Sequence, residues 1–298
     1  MRTPIQIRLL FGLFTLFIAI SCQRASSSAI QTPEQARRDA LRTANFPKTL
    51  ERAETLPEKE NFWIFLLAGQ SNMAGRGQVA PEDTIAHPRI LSLDRNNKWV
   101  YAKEPLHYYE PELTGLDCGL SFARTLLEAV PDNVSIGLLP CAVGGSSVGQ
   151  WNDDVKHRGV KLFSNFKKKA AMGASVGTIK GILWHQGESD TNPALLMLYR
   201  EGLTHLFKRF REVTHNEHLP IIMGEIGSFS EPAEVNARWD SLNTIINTFA
   251  AETKGIYHID TEDLTSKADH IHFDAVSQRL MGQRFAEKFI ESTAITKK

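Results

Sequence analysis

Cysteine is scarce in this sequence. The 298 residues hold three, at positions 22, 118 and 141, too few for a disulfide-built scaffold or a Cys₄ zinc module. An excess of charge of one sign is lacking as well. Lys plus Arg and Asp plus Glu each number 34, for a formal net charge of zero. No long-range field would draw in nucleic acid, and no basic run is dense enough to do so locally, so nucleic acid is not an expected partner. An H-E-x-x-H pair, any other recognised metal-ligand spacing and a phosphate-binding glycine loop are all absent, so neither a metal nor a cofactor is expected. No internal repeat is found. What is present is 42% apolar and 23% charged residues. That supplies a packed core and excludes a disordered chain.

The first residues read as an export signal. Arg2 and Arg8 precede an apolar run from Leu9 to Ile20. As a helix it spans about 18 Å, short of the roughly 30 Å hydrocarbon core. A basic start, a short apolar stretch and small residues at its end fit a secretory signal over residues 1–21. The ending Ala19-Ile20-Ser21-Cys22 resembles a bacterial lipobox, which implies a lipid anchor on Cys22 and a lipoprotein of the periplasm or outer membrane. Ordinary cleavage nearby is the alternative and leaves a soluble periplasmic or secreted protein. Residues 22–59 carry Ser26-Ser27-Ser28 and a charged stretch from Gln35 to Glu54 with few large apolar residues. They read as a tether with one surface helix.

From position 60 the pattern is that of a folded domain reaching residue 298. Continuous apolar runs at 62–68, 134–139, 179–184, 220–223 and 255–259 predict strands buried on both faces, as in a parallel sheet. Helical stripes lie between them: Val235, Trp239, Leu242, Ile246 and Phe249, and Tyr199, Leu203, Leu206 and Phe210. Leu120–Val130 and Val276–Ile290 are further helices, the last with Asp274 as N-cap. The alternation predicts a three-layer α/β/α domain with a central parallel sheet, whose ligands sit at the carboxyl ends of the strands.

Polar clusters occupy those ends. The first strand runs into Gly69-Gln70-Ser71-Asn72-Met73-Ala74-Gly75, the second into Cys141 to Ser147, and the third into His185-Gln186-Gly187-Glu188-Ser189-Asp190. Asp269-His270-Ile271-His272 precedes the C-terminal helix. A serine hydrolase needs an exposed serine, a histidine base, an acid to orient it and donors for the oxyanion. Ser71 on a glycine-flanked turn suits the nucleophile, and Asp269, three residues from His272, can hold that imidazole in one tautomer. Backbone N–H groups at Gly144 and Gly145 can approach a ligand, and the Gln186 amide can donate. Two alternatives stand beside this set. Gly145-Ser146-Ser147-Val148-Gly149 matches a G-x-S-x-G nucleophile elbow, although no helical pattern follows it. His270 is a second imaginable base beside His272. Trp151, on the second strand's exit, is a candidate for stacking on a sugar face, whereas Trp63, Trp184 and Trp239 fall in core patterns. Cys118 and Cys141 could pair in an exported protein, or remain packed thiols.

These motifs, with Trp151 and the Asp269/His272 pair, resemble the SGNH-type hydrolases, and among them the acetylesterases of carbohydrate esterase family 6 and the sialate O-acetylesterase relatives. The likeness spans Phe62 to the C-terminal helix. It implies a flavodoxin-like fold and an acetylesterase acting on acetylated carbohydrate without a cofactor. Ser71 would be the nucleophile, His272 the base and Asp269 its partner. The oxyanion hole would be formed by the Ser71 N–H, a glycine N–H from Gly144-Gly145, and Gln186. Glu188 would be a supporting acid. The alternative is a carbohydrate-binding or scaffold protein that keeps the fold without turnover.

Overall fold

Residues 32–295 are described by the computed structural model. The expected signal segment and the lipidation site at Cys22 lie outside them. Helix α1 (Pro33–Thr43) comes first, followed by strands β1 (Phe62–Gly69), β2 (Ile90–Leu93) and β3 (Trp99–Tyr101), helix α2 (Gly119–Ala129) and strand β4 (Ser135–Pro140). A short helix α3 (Val148–Asn152), a hairpin of β5 (Lys156–His157) and β6 (Val160–Lys161), and helix α4 (Leu162–Val176) lead to β7 (Thr178–His185). Helix α5 (Pro193–Thr214), β8 (Ile221–Gly224), α6 (Ala233–Glu252), β9 (Ile256–Ile259) and α7 (Ala275–Ser292) complete the alternation. The five strands expected from apolar runs lie within a residue of their predicted places, and Asp274 caps α7 by accepting the Ser277 N–H.

The main sheet has the order β3-β2-β4-β1-β7-β8-β9, parallel throughout except for β3, which runs antiparallel to β2. Strand β1 is central, and its side chains alternate between two cores. Phe62, Ile64, Leu66 and Ala68 join the cluster under α3, α4, α5 and α6, whereas Phe65 and Leu67 join the one under α2 and α7. Burial on both faces explains the unbroken apolar run of β1. Cys141 belongs to the first core and Cys118 to the second. The sheet separates them, and both are free thiols.

The chain builds β2, β3 and β4 on one side of β1, then crosses to build β7, β8 and β9 on the other. Strand order reverses at β1, and such a reversal opens a crevice at the carboxyl ends of the strands. The N-terminal segment is fastened near that crevice. Helix α1 has a Thr32/Gln35 capping box and no buried residue. Downstream of it, Ala53 N–H donates to Trp99 O at 3.0 Å and Tyr101 N–H to Glu51 O at 3.0 Å, extending the β3 edge.

Candidate active site

The turn after β1 carries Ser71, whose Oγ lies 3.0 Å from His272 Nε2. On the other side of the ring, His272 Nδ1 lies 2.9 Å from Asp269 Oδ2. A carboxylate at Nδ1 takes that nitrogen's proton as its hydrogen bond, which leaves Nε2 as the acceptor facing the serine hydroxyl. The other oxygen, Asp269 Oδ1, accepts the backbone N–H of Ile271 at 3.0 Å and of His272 at 2.9 Å. Burial would raise the Asp269 pKa, but the hydrogen bonds from His272 and Ile271 outweigh it and hold the carboxyl below its usual range. His270 is turned to another partner, its Nδ1 3.8 Å from Glu231 Oε1. Of the two imidazoles, the one hydrogen-bonded to Ser71 is His272. Ser147 instead caps α3, its Oγ accepting the Gln150 N–H at 3.2 Å.

Asn72, quoted in the motif but given no role there, brackets the histidine. It is fully buried. Its Oδ1 accepts the Phe273 N–H at 3.1 Å, and its Nδ2 reaches Ile271 O at 3.3 Å and Glu188 Oε1 at 2.6 Å. Glu188 thus touches Asn72, whereas the acid hydrogen-bonded to His272 is Asp269.

The loop after β4 brings Gly144 and Gly145 beside Ser71. Gly144 is not an available donor, because its N–H is taken by Glu110 Oε2 at 2.6 Å. A Cβ there would fall 2.3 Å from Arg76 Nη2, so the Arg76–Glu110 pair requires a glycine. Gly145 has φ +73°, the left-handed region that glycine adopts without strain. Of the two glycines, Gly145 is the one whose N–H makes no hydrogen bond among the described residues.

Two sequence expectations are corrected by burial. Trp151 does not face a ligand. It is fully buried, its ring 5.5 Å from Trp184 and 6.0 Å from Phe210 in edge-on contacts, and its Nε1 donates to Ser146 Oγ at 2.9 Å. Helix α3 turns the indole into the aromatic core beneath the loop. Gln186 is also fully buried, and its Nε2 is surrounded by Gln70 Oε1 at 3.0 Å, Ser146 O at 3.0 Å and Asp190 Oδ2 at 2.5 Å. With three acceptors around it, the amide braces the strand exits and is removed from the oxyanion donors. Burial pushes the Asp190 carboxyl up to about 6 despite hydrogen bonds from Gln186 and the Val148 N–H. Gln186→Ala strips the buried Asp190 of a donor, a loss of about 1–3 kcal/mol, and is expected to lower the melting temperature. An unchanged melting temperature with kcat down about 10²–10³ would restore Gln186 as an oxyanion donor.

A cleft of about 730 Å³ is lined by Ser71, His272, Asp269, Gly144 and Gly145, and also by Arg38, Asp39 and Arg42 of α1, with Arg76 and Arg158. These arginines and Glu110 had no sequence signal. Arg76 follows the quoted motif, Glu110 lies in the long connection between β3 and α2, and Arg158 sits in the turn of the six-residue β5–β6 hairpin.

A model of the family described as carbohydrate esterase, sialic acid-specific acetylesterase, matches residues 61–291. A protein of Arabidopsis thaliana described as a probable carbohydrate esterase is 28% identical over 248 residues, covering 77% of this chain and 90% of that protein. A solved structure of an Arabidopsis thaliana protein superposes with a TM-score of 0.69 at 27% identity, covering 78% of this chain and 98% of that one. NanS shares the fold, with a TM-score of 0.63, 17% identity and coverage of 80% and 99%.

Proposed function

The chain belongs to the carbohydrate esterase family of sialic acid-specific acetylesterases, and we propose that it removes acetyl groups from acetylated glycans through a serine acyl-enzyme. The observation that carries this reading is the relay from Asp269 through His272 to Ser71, at 2.9 and 3.0 Å, opening on the cleft. Ser71 Oγ attacks the ester carbonyl while His272 Nε2 takes its proton, and the imidazolium formed is stabilised by Asp269. Negative charge on the carbonyl oxygen meets the N–H groups of Ser71 and Gly145. Collapse of the tetrahedral intermediate breaks the bond to the sugar oxygen, which takes the proton from His272 and leaves as the alcohol. Water then gives a proton to His272, attacks the acetyl-serine, and releases acetate as Ser71 recovers its proton.

Hydrolysis of 4-nitrophenyl acetate and acetate release from acetylated glycans test the reading against the alternative of a binding protein that keeps the fold without turnover. A protein that binds acetylated glycan but releases no acetate would be the latter. Export and lipidation form a separate part of the proposal. Cys22→Ser is expected to shift the protein from the membrane fraction to the soluble fraction or to block its maturation, since the several acyl chains of a lipoprotein anchor stably. Unchanged membrane association would refute lipidation at Cys22.

A further inference from the structure

The oxyanion donor assigned to Gly145 lies in the most pliable part of the site. Gly144 and Gly145 are adjacent glycines, and with no Cβ on either side the peptide between them can turn over at little steric cost. That peptide is trans, so its C=O and N–H point in opposite directions. Turned over, it would put the Gly144 carbonyl oxygen where the Gly145 N–H belongs, and an oxygen there repels a developing oxyanion. Something must hold the plane if the donor is to be in place before the reaction.

The plane is held from its far side. His157 Nε2 lies 2.9 Å from Gly144 O. A carbonyl oxygen only accepts, so Nε2 carries the proton and donates it. The preceding peptide is fixed too, through the Gly144 N–H on Glu110 Oε2 at 2.6 Å. Both polar groups of Gly144 are thus tied to side chains, and the Gly145 N–H is left pointing away from the imidazole. Gly144 and Gly145 line the cleft, whereas His157 does not. The half-buried ring therefore reaches the donor only through the peptide.

The β5–β6 hairpin places that ring. Its turn residues Arg158 and Gly159 have φ +46° and +85°, the two left-handed positions of a type I′ turn, and His157 pairs with Val160 across it. Arg158 pairs through Nη1 with Glu110 Oε1, while the other oxygen of that carboxylate accepts the Gly144 N–H. Glu110 is itself buried against Arg76 at 2.8 Å. One carboxylate therefore pins both the hairpin and the glycine loop, which keeps His157 in register with the Gly144 carbonyl.

We propose that His157 is a positioning residue of the oxyanion hole: by donating to the Gly144 carbonyl, it fixes the Gly144–Gly145 peptide and aims the Gly145 N–H at the ester oxygen. This deepens the esterase reading and rests on it. The same hydrogen bond polarises the peptide and makes its N–H a stronger donor.

The test is steady-state kinetics with 4-nitrophenyl acetate, run beside thermal melting, on the full chain and three variants. His157→Leu keeps bulk and removes the donor. It is expected to lower kcat by about tenfold or more, toward the roughly 10²–10³ lost when an oxyanion donor is deleted. KM should stay within about threefold, because a donor aimed at the oxyanion acts mainly in the transition state. His157→Gln, whose amide nitrogen reaches nearly as far as Nε2, should recover most of the loss. His157→Asn, whose amide ends near the place of Nδ1, should not, and it decides the matter if the leucine variant fails to fold. A kcat within about twofold of the unsubstituted protein in the leucine and asparagine variants overturns the role, even if their melting temperatures fall. So does a loss carried by KM rather than kcat, or a glutamine variant as slow as the asparagine one. An unsubstituted protein that releases no acetate removes the esterase reading and this role together, whereas an active protein indifferent to His157 loses the role alone.

Discussion

Ser71→Ala is expected to reduce ester hydrolysis by about 10⁶ in kcat, the loss seen when a triad nucleophile is removed and only binding and oxyanion stabilisation remain. The melting temperature should barely move. The hydroxyl deleted is hydrogen-bonded to His272 alone among the described residues, and the turn is held by backbone bonds such as Ala74 N–H to Gln70 O at 2.8 Å. Steady-state kinetics with 4-nitrophenyl acetate, run beside thermal melting, read both quantities. Ser147→Ala is the matched comparison, because Ser147 bonds Gln150 at the start of α3 and has no imidazole partner among the described residues. Activity lost in Ser147→Ala but kept in Ser71→Ala would move the nucleophile to the G-x-S-x-G segment.

Asp269→Asn is expected to cost about 10⁴ in kcat, as the equivalent change does in a serine-protease triad. The shape survives, since an amide oxygen can still accept the N–H groups of Ile271 and His272. The electronics do not. An amide NH₂ facing His272 Nδ1 forces the proton onto Nε2, and the nitrogen aimed at Ser71 can then no longer accept. Asp269 also makes the stability of the fold depend on pH. Its carboxyl is held below its usual range, so its contribution is present at neutral pH and is lost as the pH falls through that depressed value. Glu188→Gln should be milder, because Glu188 reaches the histidine loop only through Asn72. A nearly silent Asp269→Asn alongside a severe Glu188→Gln would exchange the two roles.

The sequence by itself determined five of the seven strands of the main sheet and the closeness of Asp269 to His272. Strands such as β1, β4 and β7 are legible because burial on both faces demands unbroken apolar runs, a constraint carried by each segment alone. Asp269 and His272 are legible because three residues of one loop bring carboxylate and imidazole together whatever surrounds them. Features that depend on another layer were not legible. Strand β3 has three residues and α4 buries Lys169 among its apolar positions, so neither shows a clean period. Trp151 and Gln186 stand in the right motifs, yet the aromatic core under α3 claims one and Asp190 the other. Which glycine N–H is left to donate depends on Glu110, 34 residues before Gly144 in the chain. The chemical identity of these residues is written in sequence, but the direction each side chain takes is decided by the partners that tertiary packing brings to it.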